Sequence, residues 1–433
     1  MSENTAELII HSAAELATCA AGPSGARRAV EQAEAGIIAD GAVAISGGCV
    51  LAVGTSAEVL NRYRGEDTHL VDATGRTVTP GLVDAHTHLV WAGWRDAEYE
   101  LRLKGATYLE IMEAGGGIMS TVDATREATA YDLTALARPR LARMLAHGTT
   151  TVEIKSGYGL SVDDELKSLR AIRELARELE HQGTGPRIAA TFLGAHAVPR
   201  EYDSDPEAYV DLVVDDMLPA VASERLAEWC DVFCDVGAFT AEQTRRILAA
   251  ARALGLGTRL HANEFARVGA VQVAAEFGAS SADHLLVMEP EDIAALRDGG
   301  SVAVLLPGTP LGLGLREYAP ARALIEAGVP VALATDCNPG TCPSENLGLM
   351  IALACSQMKM TPAEALVAAT INSAHALDRG DRLGSLEPGK LADVVVWDAP
   401  NHRHLAYHFG VNLAAEVYVG GRPAWVATPG ARG

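Results

Sequence analysis

The chain has 433 residues, 48% hydrophobic and 21% charged, with a formal net charge of −21. That length suits a large barrel plus an accessory part, and the balance is that of a folded globular protein. No apolar run is long enough to span a membrane, and the acidity speaks against nucleic acid or an anionic membrane as partner.

The first residues, MSENTAELIIHSAAEL, lack the basic start and apolar core of a signal peptide, so a cytoplasmic protein is expected. ELIIHSA, AGIIADGAVAISGGCVLAVG and HLVDATGRTVTP are short apolar runs separated by glycines, which predicts a small antiparallel sheet. The tail has the same character in LGSLEPGKLADVVVWDA and AAEVYVGGRPAWVA. Residues 1–77 and 386–433 are therefore expected to pair into one composite β-sandwich accessory domain around a central domain at 78–385.

The central domain opens with TVTPGLVDAHTHLVWAG, a buried strand bounded by Pro80-Gly81 and Gly93. Residues i and i+2 of a strand share a face roughly 6.6 Å apart. His86 and His88 can therefore offer two imidazoles to one metal ion. Further strands are expected at GTTTVEIKSGYG (148–159), RIAATFLGAHAVP (187–199), CDVFCDVGAF (230–239), GTRLHANEF (257–265), SSADHLL (280–286), SVAVLLPGTP (301–310) and VPVALATDCNPG (329–340). Helical stretches such as LTALARPRLARMLAHG and AEQTRRILAAARALG lie between them. Eight β–α alternations predict an α/β fold, a (β/α)8 TIM barrel.

Most of these strands begin apolar and end in a reactive side chain: His86 and His88, Tyr158, His196, His261 with Glu264, His284, and Asp336. The C-terminal strand ends of such a barrel form the active-site face. His86, His88, His261 and Asp336 make a plausible mononuclear site for zinc or ferrous iron, and such an ion lowers the pKa of bound water towards about 7. The free oxygen of Asp336 or the carboxylate of Glu264 could take the water's proton, and sequence does not choose between them. Glu264 could then protonate a leaving nitrogen. His284 could hydrogen-bond the nucleophile or a developing oxyanion. Lys155 invites comparison with a carbamylated bridging lysine, but it sits on the second strand and the fourth has none, so one metal is expected. His402, His404 and His408 follow a turn and read as surface or interface residues. Gly115, Gly116 and Gly117 are read as ending the helix TYLEIMEA and giving a mobile loop. The seven cysteines are expected to be reduced, Cys230 and Cys234 included. An anionic substrate would need a local basic anchor on so acidic a chain.

Assembled this way, the chain resembles the amidohydrolase superfamily through PGLVDAHTH, HANE, ADH, ATD and LGSLEPGKLADVVVWD. Within it, HTHLVWAGWRDAEYELRLKGATYLEIMEAGGGIMSTVDATR, VEIKSGYGL, FLGAHAVP, HANEF and ATDCNPGTCPSENLGLM are similar to the imidazolonepropionase family. The resemblance implies hydrolysis of the cyclic amide of 4-imidazolone-5-propionate to N-formimino-L-glutamate, in histidine degradation. It implies a single zinc or iron ion on His86, His88, His261 and Asp336, and a homodimer. It makes Arg95 the grip on the propionate carboxylate, with Tyr108, Tyr158, His196 and Glu264 around the substrate and Asn338, Gly340 and Thr341 in the loop after the last strand. A metal-dependent aminohydrolase would share the ligands and Glu264 but would not call for Arg95.

Overall fold

The computed structural model describes residues 5–20, 22, 25–106, 110 and 116–428. Eight parallel strands form the barrel: β6 (Leu82–Asp84), β7 (Thr149–Lys155), β8 (Arg187–Ala195), β9 (Trp229–Cys234), β10 (Gly257–Ala262), β11 (Ser281–His284), β12 (Val302–Leu305) and β13 (Val331–Leu333). They pair in strict chain order, each with its predecessor. The first and last strands meet only in their extensions, where Thr87 bridges Cys337 in parallel. There the Asp336 N–H donates to the His86 carbonyl at 3.0 Å, and the His88 N–H to the Cys337 carbonyl at 3.0 Å. Barrel closure and three of the expected metal ligands thus share one seam.

The outer helices form where capping and apolar periodicity agree. Ser161 caps Val162–Gln182 by accepting from the Asp164 N–H, and Gly183 ends it with φ +64°. Its buried face, Leu166, Leu169, Ile172 and Leu175, packs on the barrel. Thr240 and Gln243 form a capping box on Ala241–Ala253. No helix among the described residues is long and apolar enough to cross a membrane.

The termini build one further sheet from β1 (Leu8–Ala17), β2 (Ile37–Ser46), β3 (Cys49–Thr55), β4 (His69–Asp72), β5 (Thr77–Pro80), β14 (Val394–Trp397), β15 (Ala414–Val419) and β16 (Arg422–Val426). It is mixed rather than purely antiparallel, because β4 and β5 both run parallel to β1. A register shift between Ile10 and Ala13, with Ser12 at φ +58°, bends β1 between those two partners. The sheet rolls on itself where Cys49 bridges Leu391, enclosing Leu16, Val43, Ile45, Val78, Val394 and Val396. That inner face serves as the core expected of a sandwich.

Trp397 of β14, its indole donating to Thr79 Oγ1 of the neighbouring β5 at 2.8 Å, packs against the barrel core and so docks this sheet. Gly148, just before β7, has φ +91°, and a Cβ there would lie 2.7 Å from the Trp397 ring. Gly148→Ala is therefore expected to cost roughly 1–3 kcal/mol, from strained backbone plus overpacking. Urea unfolding should show a lower midpoint, and an unchanged midpoint would contradict this packing.

Candidate active site

The expected ligands converge at the barrel mouth. His86 Nε2 lies 3.3 Å from His88 Nε2, which lies 3.3 Å from His261 Nε2. Asp336 Oδ1 is 3.5 Å from His86 Nε2 and 3.4 Å from His88 Nε2. All four side chains are essentially buried. Tetrahedral ligation with Zn–N bonds of about 2.0–2.1 Å sets neighbouring donor atoms roughly 3.3–3.4 Å apart, a spacing met among His86, His88 and Asp336 and between His88 and His261. Burial, then Lys155 and the neighbouring imidazoles, holds His86 and His88 well below the usual histidine range, which leaves neutral rings with free lone pairs. His284 forms a second possible ligand group with His86 and His261, beside the group of His86, His88 and Asp336. Burial pushes it down to about 3.

The two carboxylates differ in surroundings. Asp336, at φ +53°, turns Oδ2 to Thr309, whose hydroxyl donates at 2.6 Å. Its second oxygen is therefore not free, contrary to expectation, because the short helix Gly308–Leu313 after β12 supplies a donor. Asp84 fixes the same strand end, accepting from the Thr335 N–H at 3.0 Å and hydroxyl at 2.6 Å. Glu264 Oε2 lies 3.6 Å from His284 Nε2. Asp235 holds the Glu264 segment by accepting from the N–H groups of Glu264, Phe265 and Ala266 at 2.8, 2.9 and 3.0 Å. Burial first, then Asp336 and Asp235, pushes the Glu264 carboxyl well above its ordinary range. A divalent cation alongside would draw it back down.

The expected substrate residues fall into two groups. Arg95 donates from Nε to Glu98 at 2.9 Å and packs against the loop after β13. A Cβ on Gly340 would lie 2.3 Å from the Arg95 guanidinium, so only glycine seats it there. Arg140 holds the chain between His88 and Arg95 by donating to the Leu89 carbonyl at 2.8 Å and the Trp91 carbonyl at 3.1 Å. Tyr158 and His196 form the second group, with His196 stacked on His88 at 5.0 Å and Tyr158 5.4 Å from His196. Glu165 fixes this wall by accepting from the N–H groups of Gly159 and Leu160 at 2.8 and 2.9 Å. The carbonyl of Gly157 meets His196 Nδ1 at 2.9 Å. Asn338 turns inward: its Oδ1 accepts from the N–H groups of Gly340 and Thr341, both at 2.8 Å, and its Nδ2 donates to Thr341 Oγ1 at 2.9 Å. Asn338 and Thr341 thus shape the loop through each other. Tyr108 lies outside the described residues, as do Gly115 and most of TYLEIMEA.

Beneath the site lies a layer of buried charge that sequence reasoning did not single out, apart from Lys155. Glu153, Asp231, Arg259 and Asp283 belong to it, together with Thr309, Asp235 and Glu165 as supports nearer the mouth. The available signal was charge at inward positions of apolar strands. Lys155 is flanked by Glu153 and Asp231 at 2.8 and 2.9 Å, which places it in this layer as an ammonium. His402, expected at the surface or an interface, is buried and pairs with Glu15 at 2.6 Å, and His404 meets Asn401; among the described residues the tail histidines gather no metal site. All seven cysteines are free, Cys230 and Cys234 buried.

Residues 77–429 match the model of the amidohydrolase family. The chain is 50% identical over 417 residues to an imidazolonepropionase of Geobacillus kaustophilus (strain HTA426), covering 96% of this chain and 97% of that protein. It is 48% identical over 401 residues to an imidazolonepropionase of Alkaliphilus metalliredigens (strain QYMF), covering 93% and 94%. Among solved structures, a triazine hydrolase variant superposes with a TM-score of 0.74 at 20% identity, over 96% of this chain and 94% of that one. An atrazine chlorohydrolase from Arthrobacter aurescens TC1 complexed with zinc gives 0.73 at 20% identity, with the same coverage. These likenesses carry the fold alone. The identity to the first two relatives carries more: the chain belongs to the amidohydrolase family and, within it, to the imidazolonepropionases.

Proposed function

We propose that the barrel mouth hydrolyses 4-imidazolone-5-propionate to N-formimino-L-glutamate with one divalent ion, zinc or iron, held by His86, His88, His261 and Asp336. The enzyme is a hydrolase of carbon–nitrogen bonds, and its substrate is a small molecule. The observation that carries the finer reading is the cage of donor atoms 3.3–3.5 Å apart beside a buried carboxyl. The ion supplies Lewis acidity at the lactam carbonyl and lowers the pKa of a water molecule.

The chain's own residues do the rest. Arg95 binds the propionate carboxylate, which answers the need for a cation on an acidic protein. Tyr108 is assigned to the carboxylate with Arg95, and Tyr158 and His196 orient the ring. Asn338, Gly340 and Thr341 form the loop that seats Arg95. Water attacks the carbonyl carbon, forming a C–O bond, and its proton passes to a carboxylate. Glu264 is our choice of acceptor, since Asp336 Oδ2 is engaged by Thr309. His284 donates to the developing oxyanion. Glu264 then delivers the proton to the ring nitrogen as the C–N bond breaks.

The same reading includes a homodimer, a cytoplasmic location in keeping with seven free thiols, and a division into a terminal β unit, 1–77 with 386–433 and the rest of β5, and a barrel over the remainder of 78–385. Incubation with 4-imidazolone-5-propionate should yield N-formimino-L-glutamate without ammonia. Ammonia release would favour an aminohydrolase instead. Arg95→Gln is expected to lower kcat/KM about 30–1000-fold, chiefly through KM, because it removes one partner of a charge pair. An unchanged KM would exclude Arg95 as the anchor.

A further inference from the structure

The interior of a TIM barrel is ordinarily packed with branched apolar side chains. Here the layer under the four ligands is ionic: Glu153 and Lys155 from β7, Asp231 from β9, Arg259 from β10 and Asp283 from β11, all fully buried. Unpaired charges at that depth would be strongly unfavourable, so the pairing must serve them all.

The contacts form two chains, each ending on a ligand. In the first, Lys155 Nζ lies 2.9 Å from Asp231 Oδ2. Asp231 holds the His261 backbone, accepting its N–H at 3.1 Å through Oδ1, and sets Oδ2 3.1 Å from its Nδ1 as a charge contact without hydrogen-bond geometry. In the second, Arg259 lies 3.4 Å from Asp283 Oδ2, which meets His86 Nδ1 at 2.6 Å. Arg259 is itself fixed by donating to the carbonyls of Ala85 at 2.7 Å and Ala376 at 2.9 Å. A carboxylate at Nδ1 sets the tautomer and leaves the Nε2 lone pair aimed at the centre. Of the two, only the Asp283–His86 contact has hydrogen-bond geometry at Nδ1; the Nδ1 atoms of His261 and His88 have no hydrogen-bond partner among the described residues, and His261 differs from His88 in having a carboxylate oxygen 3.1 Å away.

We propose that Lys155–Asp231–His261 and Arg259–Asp283–His86 are two positioning relays that set metal affinity, with Lys155 acting as a fixed counter-charge and not as a ligand. Its nitrogen is already held between Glu153 and Asp231, which leaves it no open side for bridging metals. The inference rests on the reading of His86 and His261 as ligands.

Zinc and cobalt affinities of the full chain, measured by chelator competition, test it. The visible absorption of the cobalt-loaded protein supplies a second readout. Asp231→Asn is expected to lose 10–100-fold in metal affinity, with an altered cobalt spectrum. Gly148→Ala, destabilised far from the site, serves as the stability control and should bind metal as the unaltered chain does. Asp231→Asn binding like the unaltered chain, or Gly148→Ala losing as much, would overturn the proposal. Should Asp231→Asn not fold, Asp283→Asn reads the second relay with the same expected loss, and retained affinity there overturns it. If the unaltered chain binds neither ion, the ligand reading itself fails.

Discussion

Asp336→Ala is expected to bring turnover down to the spontaneous rate, the largest effect foreseen for any single change. The carboxylate is the only acidic member of the donor cage, with Oδ1 3.5 and 3.4 Å from two imidazoles and Oδ2 tied to Thr309. Without it, three neutral rings remain, and a divalent ion loses its one charged ligand. Metal content after dialysis should fall together with activity. A variant that keeps both its metal and its turnover would remove Asp336 from the site.

Glu264→Gln should separate chemistry from metal binding. The amide keeps the shape of the side chain but can neither take up nor deliver a proton. Asp235 would still fix the loop, since it bonds backbone N–H groups that the substitution leaves intact. Metal content is therefore expected to stay at the level of the unaltered chain, while kcat falls about 10²–10⁴-fold, the usual share of general acid–base catalysis. KM should change little, because Arg95 carries the substrate's carboxylate. Near-normal kcat in a metal-loaded Glu264→Gln protein would exclude the proton shuttle.

Much of the barrel was legible because its signals are local. H-x-H on a strand states its own geometry through the two-residue repeat, and His261, His284 and Asp336 each close an apolar run. The supports were not legible. Asp231 reaches His261 and Asp283 reaches His86 from other strands, 30 and 197 residues away in sequence. Thr309 is a small alcohol in the first turn of a six-residue helix, with no pattern to mark it. Asn338 is expected among the substrate contacts from its motif, whereas the bonds its amide makes within its own turn are visible only in the structure. In the terminal sheet, alternation identified the strands but not their neighbours. The parallel pairing of β4 and β5 with β1 depends on the bend at Ser12, which periodicity does not encode.

The most direct measurement is the ultraviolet loss of freshly generated 4-imidazolone-5-propionate with the chain as purified, stripped by chelator, and reloaded with zinc or ferrous iron. Loss far above the spontaneous rate, abolished by stripping and restored by one equivalent of metal per chain, is the predicted result. Spontaneous-rate loss from fully metal-loaded protein would contradict the proposed function.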